Sequence, residues 1–446
     1  MDLGKATALE TAAAVRTGAL SAVEVCEAAI ARIEAADDPI NAVVVRDFDR
    51  ARSAARELDA KGTSGDPRPL IGVAMTLKES NDIAGLPTTW GIEGFRDNIV
   101  GKDSVVAARL KAAGAIILGK TNAPVALADW QSDNPIYGRT RNPLDLERSP
   151  GGSSGGASAA LAAGMVPLEI GSDIGGSIRV PAHFCGVLGH KPTYGIVPGK
   201  GHQFPKTDGV DAPLAMVGPM ARDAADLRAT LDVIAGPLEP GLTLSLPPDR
   251  GQRLGDYCVH VLKGHPGAAI DTATAAGMES LETALAGQGV QIADAPLPDL
   301  MDMHRTYVSM LNTVILRGEP EAKPMTAHAW MDLLDKQMQF TRAWTTAFEE
   351  VDLIIAPVFG TPAFRLMDEP DWRKRELIID GTPTDFGAQL AFPGLATFPG
   401  LPATAVPVAR DDHGLPIGVQ IIGPPYGDRR TIGFADKLQS AGLAMN

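Results

Sequence analysis

Two short segments rich in glycine and serine contain the residue types best suited to nucleophilic chemistry. The first runs from Ser149 to Ser158 and reads SPGGSSGGAS, and the second runs from Gly171 to Arg179 and reads GSDIGGSIR. Glycines beside a serine allow positive φ angles, so that successive N–H groups converge on one point. We therefore predict that Ser177 attacks a carbonyl carbon. The predicted donors to the resulting oxyanion are the backbone N–H groups of Ile174, Gly175, Gly176 and Ser177.

A lysine at the end of an apolar segment is a second candidate for catalysis. Residues 70–77 read LIGVAMTL, and Lys78 follows them directly. This pattern predicts a buried strand with the lysine at its end. Burial disfavours the ammonium form and lowers the pKa of a lysine, so Lys78 could act as a base at neutral pH. A GGSSGG segment alone is also typical of a flexible loop, so the serines and the lysine are informative only in combination.

The elements that must position these residues alternate between helix and strand, which is typical of α/β proteins. The apolar periodicity predicts helices over 21–36 (with a capping box of Ser21 and Glu24), 48–60, 104–113, 222–235 and 267–287, and one or more within 301–350. It predicts strands over 41–46, 70–77, 115–118, 166–170, 258–262, 353–356, 403–408 and 417–422.

The composition excludes several classes of partner. The 446 residues include 40 Lys and Arg against 54 Asp and Glu, a net charge of −14, and nucleic-acid binding normally needs a basic face. Cys26, Cys185 and Cys258 lie far apart, which indicates neither a disulfide framework nor a zinc site. The first residues lack a basic region followed by an apolar stretch, and no stretch of about 18 apolar residues occurs. We expect a cytoplasmic protein that binds neither membranes nor nucleic acids.

The second Gly/Ser-rich segment continues into a longer pattern, GSDIGGSIRVPAHFCGVLGHKPTYG, over Gly171–Gly195. Together with the first segment, it resembles the central signature of the amidase signature family. Weaker similarities occur over 119–122, 218–222, 400–403 and 414–420, so the resemblance covers essentially the whole chain. It implies the α/β amidase signature fold, a large central twisted mixed β-sheet flanked on both faces by α-helices.

The resemblance also implies a single amidase domain over residues 1–446. Its signature core would span residues about 70–225. A variable region that shapes the substrate pocket would span about 240–350, and the C-terminal strands would lie within 351–446.

Residue roles follow from the same resemblance. It implies that Ser177 is the nucleophile, that Ser153 is a proton bridge in a cis peptide linkage, and that Lys78 is the base. The reaction is then acyl transfer, which needs no metal or cofactor. We expect three further residues to support the loops rather than react: Ser154, Asp173 and Arg179.

The chain departs from the family pattern beside the lysine and beside the signature. Glu79-Ser80 follows Lys78, where Asp-Asn is common in the family, and this difference changes the polarity near the base. His183 and His190 stand where small or apolar residues are expected, and we interpret both as core residues rather than catalysts.

The substrate is the least determined part of the prediction. The predicted substrate-binding residues are Leu127, Ala128, Asp129, Trp130 and Gln131. With the segment 301–346, rich in methionine and aromatic residues, and the loop 392–402, they favour an apolar or aryl group, although the same side chains could simply pack helices. We expect a small-molecule amide or carbamate as substrate, side activity on esters, and a monomer or homodimer.

Three alternatives accompany this prediction. Gly114–Thr121 matches the phosphate-loop pattern, but its apolar β-branched residues indicate a strand. Gly151–Gly155 matches GxSxG, so an α/β-hydrolase esterase with Ser153 as nucleophile and His413 as base is a rival, although 142–150 does not resemble the strand that such an elbow needs. The third is the amidase-like component of a tRNA-dependent amidotransferase, which releases ammonia from glutamine.

Overall fold

Helices and strands alternate along the chain, as the apolar periodicity predicts. The computed structural model describes residues 1–239, 241–316 and 322–445. The α-helices are α1 (Ala8–Arg16), α2 (Ala22–Ala36), α3 (Phe48–Lys61), α4 (Val105–Ala112), α5 (Gly155–Ala162), α6 (Arg179–Cys185), α7 (Ala224–Ile234), α8 (Thr272–Gly287), α9 (Leu300–Ile315), α10 (Ala327–Glu350), α11 (Ala391–Thr397) and α12 (Asp428–Ser440). Residues 317–321, inside the predicted helical region 301–350, lie outside the described residues.

The strands include all eight that the sequence predicts and several that it does not. They are β1 (Val43–Arg46), β2 (Ala74–Lys78), β3 (Ile116–Thr121), β4 (Asp133–Asn134), β5 (Gly138–Arg139), β6 (Leu168–Asp173), β7 (Leu188–Lys191), β8 (Met216–Ala221), β9 (Cys258–Val261), β10 (Gln291–Ile292), β11 (Leu353–Pro357), β12 (Glu376–Ile379), β13 (Thr382–Asp385), β14 (Ala403–Arg410) and β15 (Pro416–Ile422).

Eight of these strands form one mixed sheet in the order β10-β9-β11-β15-β14-β7-β8-β6. Strand β9 runs parallel to both of its neighbours, and every pairing from β11 to β6 is antiparallel. Helices including α6, α7, α8 and α12 pack on this sheet. The structure therefore confirms the predicted α/β fold with a large mixed sheet flanked by helices.

A smaller sheet carries the candidate base. Strands β1, β3 and β2 form a three-stranded sheet in that order, so β2 lies at its edge. Strand β6 lies at the edge of the large sheet, and β2 packs beside it. Every residue of β2 and β6 is buried, because each strand is covered by helices and by the other sheet. The candidate base therefore approaches the signature segment from a neighbouring sheet rather than from the central one.

The local signals for the first helices are confirmed. Ser21 caps α2: its Oγ accepts a hydrogen bond from the Glu24 amide (3.1 Å), and the Glu24 carboxylate accepts one from the Ser21 amide (2.8 Å). Such a reciprocal pair satisfies two N–H groups that a helix start leaves unpaired. No helix in the described ranges is both long and apolar enough to cross a membrane.

Candidate active site

Lys78, the last residue of β2, is completely buried. Its Nζ shares a hydrogen bond with Ser153 Oγ (2.5 Å) and donates one to Ser172 Oγ (2.9 Å). Burial lowers the pKa of Lys78 to about 7, against the opposing charges of Asp173 and Glu79. A large part of this lysine is therefore an uncharged amine at neutral pH, which is the form that accepts a proton.

Ser153 and Ser154 lie just before α5 and connect the two Gly/Ser-rich segments. The peptide bond between Gly152 and Ser153 is cis, as the family resemblance implies. The Ser154 amide donates to the carbonyl of Ser177 (3.1 Å), and its hydroxyl accepts from the Ser172 amide (3.2 Å). Ser154 thus holds the segments together, which agrees with its predicted supporting role.

A close backbone contact explains why a glycine precedes Ser153. A Cβ at Gly152 would lie 2.4 Å from the carbonyl oxygen of Asp129, so no larger residue fits there without movement of the backbone. The serine-rich loop is therefore packed directly against the predicted substrate-binding segment.

Asp173 and Arg179 form a completely buried ion pair, with 2.9 Å between Arg179 Nη2 and Asp173 Oδ1. The Asp173 carboxylate also accepts from the amides of Gly176 (2.9 Å) and Ile178 (3.2 Å). Burial alone would raise the pKa of Asp173, but the charge and hydrogen bonds of Arg179 and the charge of Lys191 hold it below its usual value. The loop that carries Ser177 is therefore folded around an ionised carboxylate.

Arg179 extends this support to the C-terminal part of the chain. Its guanidinium donates to Gln420 Oε1 of β15 (2.6 Å), to Thr397 Oγ1 of α11 (2.7 Å) and to the carbonyl of Pro393 (3.1 Å). A guanidinium satisfied on all sides is costly to replace, because its partners would be left unpaired in the interior. The predicted supporting role of both charged residues agrees with this geometry.

The predicted oxyanion donors need one correction. The Gly176 amide already donates to Asp173 Oδ1, so it is not free to hold an oxyanion. The amides of Ile174, Gly175 and Ser177 make no hydrogen bond within residues 1–239, 241–316 and 322–445. The predicted donor set is therefore reduced to these three amides.

The Ser177 side chain lies in this loop and is 5% exposed. Its hydroxyl makes no hydrogen bond to any described residue, so the chain of hydrogen bonds from Lys78 ends at Ser153. In the described part of the chain, Ser177 therefore has an unpaired hydroxyl in the same loop as three unpaired amides that are candidate oxyanion donors. The link between Ser153 and Ser177 remains a prediction.

The predicted substrate-binding segment lies against the oxyanion loop. The indole N–H of Trp130 donates to the carbonyl of Gly175 (2.9 Å). The Asp129 carboxylate accepts two hydrogen bonds from Arg375 (2.7 and 2.8 Å), and the Gln131 amide pairs with the backbone of Met367 (2.8 and 3.1 Å). The polar groups of these three side chains thus make hydrogen bonds within the protein. Leu127 is half-buried, and Ala128 is exposed. Contact with substrate stays a prediction for all five.

Three residues that the sequence did not single out also shape the site. Tyr307 of α9 is buried, and its hydroxyl donates to the carbonyl of Ile174 (2.8 Å). Ser172 accepts from the lysine, and Ser132 Oγ accepts from the Gly155 amide at the start of α5 (3.1 Å). Ser172 lies inside the signature and was visible there, whereas nothing in the sequence distinguished Tyr307 from the three other aromatic residues of the segment 301–346.

Both histidines beside the signature are core residues, as interpreted. His183 is buried, accepts from the Gly418 amide at Nδ1 (2.5 Å) and lies 3.0 Å from the Thr361 carbonyl at Nε2. His190 is buried between Thr404 and Asp428, at 2.9 and 3.1 Å. Each imidazole is occupied on both nitrogens, which leaves none for catalysis.

The structure contradicts two of the rival interpretations. Gly119, Lys120 and Thr121 belong to strand β3 rather than to a phosphate-binding loop. No strand within the described residues ends directly before Ser153, as a nucleophile elbow requires. His413 is exposed in the turn between β14 and β15.

Known proteins are similar to this chain in both sequence and fold. An indoleacetamide hydrolase of Bradyrhizobium diazoefficiens is 31% identical over 97% of this chain and 86% of the relative. The A component of the glutamyl-tRNA(Gln) amidotransferase of Roseiflexus castenholzii is 31% identical over 95% of this chain and 93% of the relative. A solved structure belongs to a vestigial protein complex that reveals the evolutionary origins of an s-triazine catabolic enzyme. It superposes on this chain with a TM-score of 0.86 and 30% sequence identity, over 98% of this chain and 99% of that one.

The family comparison covers most of the chain. The sequence model of the amidase family matches residues 24–317 and 309–432, which include the whole Gly/Ser-rich centre and the strand that ends in Lys78. The chain therefore belongs to the amidase family.

Proposed function

We propose that this protein hydrolyses a carboxamide-type C–N bond through an acyl-enzyme on Ser177, with Ser153 as proton bridge and neutral Lys78 as base. The observation that carries the proposal is the 2.5 Å contact between Lys78 Nζ and Ser153 Oγ in a completely buried setting. A buried amine with a pKa of about 7 beside a hydroxyl is a competent acceptor of that hydroxyl's proton.

In the proposed mechanism, Ser177 Oγ bonds to the substrate carbonyl carbon while its proton passes to Ser153, whose own proton passes to Lys78. The amides of Ile174, Gly175 and Ser177 stabilise the oxyanion. As the C–N bond breaks, the same relay returns a proton to the leaving nitrogen. Water then adds to the acyl carbon and breaks the ester to Ser177, which releases a carboxylic acid.

The proposed substrate is a small-molecule amide with an apolar or aryl group, with carbamate and ester cleavage as further activities. Trp130, which contacts the oxyanion loop, and the half-buried Leu127 of the same segment support an apolar group. The relative that is an indoleacetamide hydrolase acts on an amide with an aromatic group, which agrees with this choice. Rates on aryl anilides, aliphatic amides and carbamates would rank the substrate classes, and hydrolysis of simple esters alone would contradict the assignment.

The role of each serine is tested by substitution. Ser177→Ala should abolish acyl-enzyme formation, followed as a mass increase of the intact protein after reaction with an activated acyl substrate. Ser153→Ala should slow the reaction without abolishing it, because the nucleophile remains. The reverse order of effects would overturn the assignment.

The amidase-like component of an amidotransferase is the second candidate, because a relative of that kind is as similar to this chain as the hydrolase is. That function requires ammonia release from glutamine together with partner proteins. Turnover of simple amides by the purified chain, without glutamine hydrolysis, would favour the free-standing hydrolase.

A further inference from the structure

The seam between strands β2 and β6 joins the two sheets at the candidate active site. Both strands lie at the edge of their sheet, and no backbone ladder connects them within the described part of the chain. Lys78 lies at the end of β2, while Ser172 and Asp173 end β6. The position of the base relative to its partners therefore depends on how these two edges are held together.

Two side-chain hydrogen bonds cross this seam. One is the contact of Lys78 Nζ with Ser172 Oγ at 2.9 Å. The Thr76 hydroxyl donates the other to Glu169 Oε1. Thr76 lies two residues before Lys78 on β2, and Glu169 lies three residues before Ser172 on β6. Lys78 belongs to the proposed machinery, so the Thr76–Glu169 bond is the link across the seam that is independent of it.

The backbone around Thr76 does not by itself determine the register of the lysine. The ladder between β2 and β3 shifts register between Met75 and Leu77, so Thr76 lies at an irregular point of the strand. A strand with an irregular register on one side and no hydrogen-bonded neighbour on the other needs another interaction to fix its position. The bond to Glu169 supplies it.

Glu169 is held on its own strand as well. It is completely buried, and its Oε2 accepts from the amide of Ile170 (3.0 Å). We propose that Glu169, through its hydrogen bond with Thr76, is a positioning residue that ties the Lys78 strand to the Ser172 strand. The inference rests on the proposed function, since it assigns Lys78 the role of base.

The surroundings of Glu169 favour its uncharged form. Burial raises the pKa of Glu169 to about 8, against hydrogen bonds from Thr76 and the Ile170 amide. Of the elements packed against β6, strand β8 and helix α5 contain no titratable side chain, and β2 contains only Lys78. Lys78 is largely uncharged above pH 7, so these elements bring no charge that compensates a Glu169 carboxylate there. Ionisation of Glu169 therefore favours entry of water into the dry seam and separation of its two edges.

The test compares the pH dependence of acylation in wild type and two variants. We expect Glu169→Gln, which keeps a donor and an acceptor but does not ionise, to react within about twofold of wild type at pH 7. Between pH 7 and pH 9 the protonated fraction of a group with a pKa of about 8 falls about tenfold, while the neutral fraction of Lys78 rises about twofold. Wild type should therefore lose about fivefold, whereas E169Q should gain about twofold. Asp226→Asn is the matched control, because Asp226 of α7 is another buried carboxyl with a pKa raised to about 7, and its partner is the Ala8 amide at the start of α1 rather than the seam. An unchanged alkaline loss in E169Q would overturn the inference.

Thr76 provides the second pair of variants. Thr76→Val removes the hydroxyl at nearly constant volume and should lower kcat by about tenfold with KM within about twofold, whereas Thr76→Ser should resemble wild type. Equal kcat values for T76V and T76S would contradict the proposal.

The failure of this inference is distinguishable from failure of the proposed function. If wild type forms no acyl-enzyme, the proposed function fails, and the seam is then judged from a crystal structure of T76V. The contact of Lys78 Nζ with Ser172 Oγ should lengthen beyond hydrogen-bonding distance in that structure. A contact that persists at its wild-type length would overturn the positioning role.

Discussion

The acid side of the pH profile provides the sharpest test of the lysine base. Lys78 has a pKa of about 7 because it is buried, compared with an ordinary value of 10.5. A base must be uncharged, and the neutral fraction of such a lysine rises about tenfold from pH 5 to pH 6 and reaches about one half at pH 7. A lysine with the ordinary pKa would be neutral in only about one molecule in 3,000 at pH 7.

The rate of Ser177 acylation should therefore rise about tenfold between pH 5 and pH 6 and stop rising near pH 7, above which ionisation of Glu169 lowers it. The measurement is single-turnover labelling by a fluorophosphonate, followed by intact mass, with circular dichroism at each pH to confirm that the protein is folded. Steady-state turnover is less suitable, because deacylation contributes to it.

Two variants make the result specific. Lys78→Met should acylate about 10²- to 10⁴-fold more slowly at pH 7 and lose the acid limb, since general base catalysis is typically of that size. Lys61→Met is the control, because Lys61 is an exposed lysine at the end of α3 and should leave rate and profile unchanged. A wild-type rate that is equal at pH 5 and pH 6, or an acid limb that survives in K78M, would refute the reasoning.

Further predictions concern stability and the supporting residues. Lys78→Met should raise the free energy of unfolding, because burying a protonatable lysine destabilises the folded protein. This destabilisation is fully present below pH 7 and decreases as the pH rises towards 10.5. The gain of K78M over wild type in urea unfolding should therefore be about 2 kcal/mol smaller at pH 9 than at pH 7. Asp173→Asn should cost about 3–5 kcal/mol in thermal or urea unfolding, because a buried guanidinium loses its counter-charge, and an unchanged midpoint would contradict this account. Tyr307→Phe should lower kcat roughly fivefold with little change in KM, because the oxyanion loop loses one hydrogen bond worth about 1 kcal/mol. His413→Ala should keep full activity in an amide hydrolysis assay, and a loss would revive the elbow-serine hypothesis.

The chemistry of the centre was readable from the sequence, because it depends on short-range features. Glycines near Ser153 and Ser177 indicated positive φ angles, which Gly151 and Gly176 adopt, and an apolar run indicated that Lys78 is buried. Capping of α2 by Ser21 was equally local. Each of these signals lies within about ten residues, where periodicity and backbone sterics act directly.

Some elements in and near the signature were not predicted, because glycine and proline interrupt their periodicity. Strand β8 reads MVGPMA, and glycine and proline are both unfavourable in strands. Helix α6 has seven residues and includes Pro181, too short a segment to show a helical period. Both elements are stabilised by their neighbours in the sheet rather than by their own propensity.

The sequence by itself determined the α/β class and which residues are candidates for the reacting groups. Only the tertiary structure decided that the Gly176 amide is occupied by Asp173, that Tyr307 contacts the oxyanion loop, and that Glu169 and Thr76 join two sheets beside the base. The reason is physical: apolar patterning states which face of an element is buried, but which buried polar groups meet depends on how separate elements pack. The burial of Lys78, which supports the proposed role as base, was therefore predictable from a local pattern, whereas its contacts across the seam were not.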